Sequence, residues 1–332
     1  MGSLQQYAEK GKLVDLGSMI GSDTLKADFP ESLLTAATVN GKVYGVFTGV
    51  DNFMVWYDPK TYKGPKDPSS WAELEKFTQQ QAAAGSTPWC MAQNAGAGSG
   101  FPGTQWIEAW FIKHYGAAKL QDWASGKLSW TSPEVKAAWQ AFGAVATDKK
   151  MVNGGPTGVL SASIVNNGTG LISSPAKCQV MLWGVYADGL TLMQNKALKP
   201  VTDLDFYPVP AASPAYANDE LFGGHVAYAF NDNPQTRALM KYWASAQAQT
   251  LLVASGQWTE ANTKIPASAY SNPLLKKSYQ QLVNGRTLAA GPSLYGSPAV
   301  LTAYDKGVVN YIQNPGSLDT ILAGLQRTAT GG

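Results

Sequence analysis

Residues 42–57 read KVYGVFTGVDNFMVWY, and this stretch decides how the chain is organised. Its two ends, KVYGVF (42–47) and FMVWY (53–57), are rich in β-branched and aromatic residues, which is typical of strands. The polar segment between them carries one acidic residue, Asp51. Further strand-like segments lie at 88–92, 170–172, 203–209 and 225–230.

Helical segments alternate with these strands. Ser70-Trp71-Ala72-Glu73 is a capping box and predicts a helix that runs to about Ala84 and stops at Gly85. Similar start signals predict helices from Ser132-Pro133-Glu134, from Asn233-Pro234 to near Gly256, and from Ser317 over LDTILAGLQR. Short strands that alternate with helices of this length indicate an α/β protein with largely parallel sheets.

The composition limits the classes of partner. The chain has 332 residues, of which 45% are hydrophobic and 14% charged, with a net charge of +2. This length suits two lobes with a core each, and the apolar content excludes disorder. The small net charge gives no reason to expect nucleic acid or an anionic membrane as a partner. No apolar stretch approaches the length of about 18 residues that a bilayer span needs.

The two cysteines and two histidines limit metal chemistry. Neither a CxxC nor an HxxxH spacing is present, which argues against a structural zinc site. Cys90 lies in the strand-like TPWCMAQ, and Cys178 follows a turn around Pro175. The residues alone leave two alternatives open, namely two buried thiols or one disulfide formed in an oxidising compartment.

Two short motifs match known sites but lack their context. Residues 98–103, GSGFPG, match the GxGxxG of a dinucleotide-binding loop. Five residues separate the preceding strand from Gly98, and Pro102 lies inside the turn, so a flexible loop before the helix TQWIEAW is the better interpretation. Residues 174–177, SPAK, match the SxxK of penicillin-recognising enzymes, but neither SDN nor KTG follows.

The acidic and aromatic residues suggest a carbohydrate ligand. A glycosidase needs two facing carboxylates, and four acidic residues are candidates, but sequence spacing cannot pair them. These candidates are Asp51, Asp58, Glu108 and Asp122. Most of the 11 Trp and 15 Tyr are expected in the core, but aromatic faces also stack well on the C–H faces of sugars and on apolar ligands. A secreted carbohydrate-active enzyme is therefore the alternative to a binding function.

Eight phrases, taken in order, resemble the extracellular solute-binding proteins (family 1 type) of bacterial ABC sugar importers, in particular their oligosaccharide and α-glucoside binders. The resemblance extends from Leu4 to about Gln326. The phrases are LQQYAEKGKLVDL, PESLLTAATVNGKVYGV, VWYDPKTY, SWAELEKF, GSTPWC, FPGTQWIEAW, FNDNPQTRALMKYWASAQAQ and IPASAY.

The resemblance implies a two-lobed α/β fold of the periplasmic-binding-protein type II, whose lobes close over the ligand around a hinge. It also implies that Cys90 and Cys178 form a disulfide, and that a β-α-β-α unit of the first lobe is missing before LQQYAEKG, so that this lobe is incomplete. The implied first lobe is 1–48 plus 212–262, the second is 53–207 plus 266–332, and the hinge crossings lie near 48–52, 208–213 and 262–266.

The resemblance and the chemistry of sugar recognition together imply a site in the cleft. Asp51 matches a position where maltose-type binders present a carboxylate, and Trp106 with Glu108 matches a ligand-facing helix. The strand that starts with Gly223-Gly224-His225 allows a close approach of backbone to ligand. The predicted ligand-binding residues are Asp51, Asn52, Trp106, Glu108, Gly224, His225, Trp258, Arg286 and Tyr295.

The resemblance further implies a monomer that binds a sugar or oligosaccharide without catalysis and delivers it to the permease subunits of an ABC transporter. It implies neither a cofactor nor a metal. The unusual start keeps a further alternative open, namely a truncated or engineered fragment of a binding protein. The native protein is expected outside the cytoplasm, as a cell-surface lipoprotein or in the periplasm. The first residues, MGSLQQYAEK, have neither the basic nor the apolar region of a signal peptide.

Overall fold

The central sheet is built around one long strand, β3 (Val46–Tyr57). The computed structural model describes residues 2–187, 191, 197–256 and 258–331. All 12 residues of β3 are buried except Thr48, which is half-buried. β3 therefore joins the second predicted strand to the last two residues of the first, Val46 and Phe47, because the segment between them stays extended. Residues Lys42–Val43 of the first predicted strand belong to a separate strand.

Four more strands complete this sheet. They are β4 (Met181–Gly184), β5 (Asp205–Pro208), β6 (Asp219–Ala227) and β7 (Thr287–Ala289). The order is β4-β3-β6-β7, and β5 also pairs with β3. A separate ribbon is formed by β1 (Thr38–Val39) and β2 (Lys42–Val43).

The prediction of largely parallel sheets is wrong. β4, β5 and β6 run antiparallel to β3, and among the strands of the described residues β7 alone pairs in parallel, with β6. A hydrophobic pattern shows which residues are buried. The direction of a strand depends instead on connections far along the chain, which that pattern does not contain.

Several predicted strands also have different bounds. Residues 88–92 contribute isolated bridges at Trp89, and residues 170–172 begin at the last residue of a 3₁₀ helix, Ile164–Gly170, and continue as a turn. The strand predicted at 225–230 is β6, which begins six residues earlier, at Asp219. Its early residues, DELFGG, are rich in acidic residues and glycine, which hides the strand from a propensity argument.

The helices confirm most of the predicted start signals. Ser70 caps α4 by accepting a bond from the Glu73 amide, and Ser132 caps α7 by accepting from Val135. No helix in the described part of the chain has the length and apolarity that a bilayer span requires. The α-helices that lie wholly within the described residues are α1 (Gly2–Glu9), α2 (Ser22–Asp28), α3 (Glu31–Ala36), α4 (Trp71–Ala83), α5 (Phe101–Tyr115), α6 (Ala117–Ala124), α7 (Pro133–Ala146), α8 (Gly155–Ser161), α9 (Pro234–Ala244), α10 (Ala246–Val253), α11 (Pro273–Val283), α12 (Pro292–Tyr295), α13 (Pro298–Gln313) and α14 (Leu318–Thr330).

Two helix predictions need correction. The single helix expected from Pro234 to near Gly256 is two helices, because Ser245 leaves the helical conformation and its hydroxyl caps α10. Ser317 precedes α14 but does not cap it with its side chain. Its hydroxyl donates to the carbonyl of Asn314 at 2.7 Å instead.

Two hydrophobic cores lie on opposite faces of the second half of β3. Phe53, Val55 and Tyr57 belong to the first core, which also contains buried residues of α5, α7, α13 and α14. Met54 and Trp56 belong to the second core, which includes α11 and residues from 16 to 37. This second core therefore joins residues of the predicted first lobe, 16 to 37, with α11, which belongs to the predicted second lobe. The bounds of the two lobes stay a prediction.

The disulfide between Cys90 and Cys178 is present. The two Cα atoms are 5.4 Å apart, and a Cβ at Gly170 would lie 2.7 Å from one sulfur and 2.8 Å from the other. This Cα separation is within the usual range for disulfides, about 4.4–6.8 Å. The pairing implied by the resemblance is confirmed, and residue 170 has no room for a side chain.

Candidate functional site

A cavity of about 320 Å³ lies where β3 and β6 meet the start of α5, the segment after β4 and the turn of α12. A larger groove of about 520 Å³ covers residues 15–43, but its lining contains no aromatic residue among those described. The residues that line the smaller cavity are Asp51, Phe53, Phe101, Gln105, Tyr186, Leu221, Phe222, Gly223, Gly224, His225, Trp258, Ser293 and Leu294.

Asp51 supplies the carboxylate of this cavity. It lies on β3 opposite Gly223 of β6 and is 7% exposed. Its Oδ1 has no hydrogen-bond partner among the described residues. Burial raises the pKa of the Asp51 carboxyl to about 7. A buried carboxylate without a partner destabilises the fold, and a ligand hydroxyl that donates to Oδ1 would remove part of that cost.

The backbone around Asp51 departs from regular pairing. The register between β3 and β6 shifts between Phe47 and Val50, where the predicted hinge crossing lies. On β6, a Cβ at Gly224 would lie 2.3 Å from the carbonyl oxygen of Gly49, so only glycine fits there. The predicted close backbone approach at Gly224 is therefore made to β3, and it opens the pairing beside the cavity.

Aromatic rings form one wall of the cavity. His225 packs edge-on against Trp258, with ring centroids 4.6 Å apart and an interplanar angle of 83°. Tyr186 lies against the same tryptophan at 6.0 Å. The half-buried Trp258 therefore presents an apolar surface beside the polar edge of an imidazole, which is the combination that the faces and hydroxyls of a sugar require.

Glu108 lies behind the cavity wall and does not line it. Its residue is fully buried, and it accepts two bonds from Ser293, from the amide at 2.7 Å and from the hydroxyl at 2.6 Å. Burial raises the pKa of Glu108 to about 8, although the bonds from Ser293 oppose this shift. Because Ser293 does line the cavity, Glu108 positions a wall residue rather than facing the cavity.

The structure places two predicted contacts inside the protein. Trp106 is 2% exposed and packs edge-on against other rings, at 5.7 Å from Trp71 and 6.0 Å from Trp89. Asn52 points away from Asp51, as neighbours on a strand do, and its Oδ1 accepts a bond of 2.6 Å from Ser278. Neither residue lines the cavity, so neither is placed to contact a ligand there.

Arg286 and Tyr295 lie in other places. The guanidinium of Arg286 is 3.3 Å from Glu220, which also forms a buried ion pair with Lys113 at 3.0 Å. Tyr295 lines a separate cavity of about 310 Å³ with Gln5 and Gln121.

Of the nine predicted contacts, the structure brings together Asp51, Gly224, His225 and Trp258.

Sequence reasoning missed several residues of the wall. Gln105 lies one position before the predicted Trp106, and one residue on a helix turns the side chain by about 100°. Tyr186 lies in the segment WGVYADG, directly after a strand that was not predicted. The sequence predicts Phe53 in a strand and Phe101 in a loop. Only the fold brings the two rings to one cavity.

The glycine-rich loop before α5 has a packing role. Gly100 precedes the helix in a left-handed conformation, and a Cβ there would lie 2.1 Å from the carbonyl oxygen of Asp305 on α13. This close approach explains the glycine without a bound phosphate. Within the described residues, no cluster of three His, Cys, Asp or Glu side chains could hold a metal ion.

The four acidic candidates for glycosidase chemistry do not converge on the cavity. Among its described lining residues, Asp51 is the single acidic side chain. Asp58 accepts a bond from the Lys60 amide in a turn, and the Asp122 side chain is 51% exposed. With Glu108 committed to Ser293, the cavity has one carboxylate where a glycosidase needs two.

Comparison with known proteins finds relatives that are named as binding proteins. Two are the osmoprotective compounds-binding protein GgtB of Synechocystis sp. and the alpha-glucosides-binding periplasmic protein AglE of Rhizobium meliloti. GgtB is 27% identical over 315 residues, which cover 94% of this chain and 74% of GgtB. AglE is 26% identical over 338 residues, which cover 98% of this chain and 73% of AglE.

Solved structures share the fold. The bacterial solute receptor AcbH, which prefers β-D-galactopyranose, superposes with a TM-score of 0.81 at 18% identity. A chitin oligosaccharide binding protein superposes with a TM-score of 0.80 at 18% identity. Each match covers 99% of this chain and 82% of the other chain. The α/β fold is thus that of the two-lobed binding proteins, as predicted.

The family model for bacterial extracellular solute-binding proteins matches residues 1–277, and the chain belongs to that family.

Proposed function

We propose that this protein captures a neutral sugar or short oligosaccharide in the cavity beside Asp51 and delivers it to the permease subunits of an ABC importer. As a member of an extracellular family of binding proteins it acts outside the cytoplasm and catalyses no reaction. The name of AglE and those of the proteins that share the fold support sugars as the class of ligand, whereas the name of GgtB gives osmoprotective compounds.

One observation carries this proposal, namely an aromatic wall around Asp51, the one carboxylate in the described lining, whose Oδ1 has no hydrogen-bond partner among the described residues. Trp258 offers a face to the C–H groups of a sugar, while Oδ1 of Asp51 accepts a bond from a hydroxyl. The described lining contains neither Lys nor Arg, so an anionic sugar would meet the charge of Asp51 without a counter-charge. A neutral ligand fits best.

The hinge forms part of the proposal. Asp51 lies within the predicted crossing at 48–52, beside the register shift between β3 and β6. A ligand that touches both lobes favours the closed form by the difference between its affinities for the two forms. Small-angle scattering at saturating sugar should therefore show a more compact molecule. An unchanged profile would reject closure around these crossings.

A lipoprotein anchor and a monomeric state also belong to the proposal. A single chain encloses the cavity, so sugar capture does not require a second copy. Sedimentation of the purified protein, with and without sugar, tests the monomer.

Calorimetric titration tests the ligand. The panel is D-glucose, D-galactose, maltose, trehalose, raffinose and chitobiose, each followed also by tryptophan fluorescence and by chromatography for products. Glycine betaine is included, because aromatic faces beside one carboxylate also suit a quaternary ammonium group. We expect a sugar to bind without product formation, and Asp51→Asn to weaken binding about tenfold. Asp148→Asn, in a turn outside the cavity, is the matched control. Binding of the betaine alone would reject the proposal.

A further inference from the structure

Two polar side chains of the cavity wall are bonded to each other. The hydroxyl of Tyr186 donates to Oε1 of Gln105 at 3.0 Å, and both residues line the cavity. They belong to different elements, since Gln105 lies in the first turns of α5 and Tyr186 follows β4. The bond therefore fixes two segments of the wall relative to each other.

The ring of Tyr186 is held in place by its neighbours. It packs edge-on against Trp183, with ring centroids 5.1 Å apart, and leans on Trp258. A Cβ at Gly184 would lie 2.4 Å from the edge of the tyrosine ring, so a side chain at 184 would displace it. Burial and the charge of Asp51 raise the pKa of Tyr186, which keeps its hydroxyl protonated and able to donate.

The bond leaves Gln105 with donors only. A carboxamide offers one oxygen and two N–H groups, and here the oxygen is occupied by Tyr186. Within the described part of the chain, the Nε2 of Gln105 has no protein partner, and this atom is not buried. Its N–H groups are therefore accessible to a ligand. Asp51 provides the opposite character, because its Oδ1 is an acceptor without a partner. The cavity therefore presents a donor and an acceptor.

We infer that Tyr186 is a positioning residue for Gln105, and that the pair sets which ligands the cavity accepts. Tyr186 holds the carboxamide oxygen, so Gln105 meets the ligand with its N–H groups and requires an acceptor oxygen there. A sugar hydroxyl or ring oxygen meets this requirement, whereas a quaternary ammonium group does not, so that glycine betaine could meet it only with its carboxylate. The inference rests on the proposed function and adds a determinant of specificity to it.

A double-mutant cycle on sugar affinity tests the pair. The protein and its variants Tyr186→Phe, Gln105→Ala and the double variant are titrated with the sugar of the panel that binds most tightly. Loss of the Gln105 donors should weaken binding about tenfold, and loss of the Tyr186 hydroxyl about three- to tenfold. Because Tyr186 acts through Gln105, the double variant should bind no more weakly than Gln105→Ala alone.

A reversal of polarity gives a second readout. Gln105→Glu keeps the shape and still accepts from Tyr186, but it replaces the N–H donors with a second oxygen. We expect a loss of at least about tenfold in sugar affinity. Tyr207→Phe is the matched control, because its hydroxyl lies 3.0 Å from that of Tyr62, outside the cavity, and it should leave affinity unchanged.

The outcomes separate a failure of the proposed function from a failure of the positioning role of Tyr186. If no sugar of the panel binds the unaltered protein, the proposed function fails and this inference fails with it. If a sugar binds but the effects of Tyr186→Phe and Gln105→Ala multiply, or Gln105→Glu binds as well as the unaltered protein, the positioning role alone is rejected. Thermal unfolding of each variant, with Tyr207→Phe beside it, shows that the variants are folded.

Discussion

Two groups of aromatic residues in this protein differ in what surrounds them. Around Trp106, the rings of Trp71, Trp89 and Phe142 pack edge-on at 5.7–6.0 Å, and Trp106 is 2% exposed. Around Trp258, aromatic rings line a cavity that also contains a carboxylate. The same residue types stabilise the fold in the first group and leave a space for a ligand in the second.

The difference shows how a binding cavity lowers the stability of the folded state. The core around Trp106 gains free energy from each ring that it buries. The cavity contains the buried carboxylate of Asp51, whose Oδ1 has no partner among the residues that the structure describes, and this disfavours the folded state. Substitutions in the two regions should therefore separate stability from affinity.

The largest effect is expected in the core. Trp106→Ala removes a fully packed ring and should lower the free energy of unfolding by about 3–5 kcal/mol. Urea denaturation measures this change. Calorimetry on the folded fraction should give an affinity close to that of the unaltered protein. A large loss of affinity with little loss of stability would return Trp106 to the ligand site.

A buried carboxylate outside the cavity shows whether the cost comes from burial. Glu260 is fully buried, both its carboxylate oxygens lack partners in the described residues, and burial raises its pKa to about 8. A carboxyl with a raised pKa contributes stability that is present at low pH and lost as the pH rises through about 8. Glu260→Gln should therefore stabilise the protein by about 2–4 kcal/mol at pH 9, and much less at pH 5.

Thermal unfolding at both pH values measures the effect of Glu260→Gln. Because Glu260 does not line the cavity, sugar affinity should not change. Equal effects at pH 5 and pH 9 would show that the gain does not come from ionisation.

The cavity wall should respond in the opposite way to the core. Trp258→Ala removes a half-buried ring that faces the cavity, so we expect affinity to fall ten- to hundredfold and stability to fall by only about 1–2 kcal/mol. Tryptophan fluorescence should also lose most of its response to sugar. If Trp258→Ala costs as much stability as Trp106→Ala, the two regions do not differ as described.

The sequence predicted the local structure better than the assembly. Ser70 and Ser132 begin helices as their capping signals indicate, because caps depend on bonds between residues three apart. The direction of the strands depends on packing from distant parts of the chain. The break at Ser245 is local, since its hydroxyl caps the second helix, but that cap lies inside a segment that reads as one continuous helix. The resemblance to a family supplied what the local pattern lacks, namely the two-lobed fold and the disulfide.

The site was predicted in part for the same reason. Asp51, His225 and Trp258 lie at positions that the resemblance or the strand pattern marks, and they share one cavity. Residue type and the resemblance both indicate Trp106, since tryptophan suits sugar binding, and neither marks its neighbour Gln105. The face of a helix that points to a cavity is decided by the neighbours that bury the other face, and these are not visible in the sequence.

The central claim is that the cavity gives up stability for a ligand, and Asp51→Asn tests it most directly. Because burial raises the pKa of Asp51 to about 7, its ionised form destabilises the empty protein above that pH. Without sugar at pH 8, Asp51→Asn should raise the melting temperature by about 2–6 °C, with a smaller gain at pH 5. The same variant should bind sugar about tenfold more weakly. A lower melting temperature together with unchanged affinity would contradict the account.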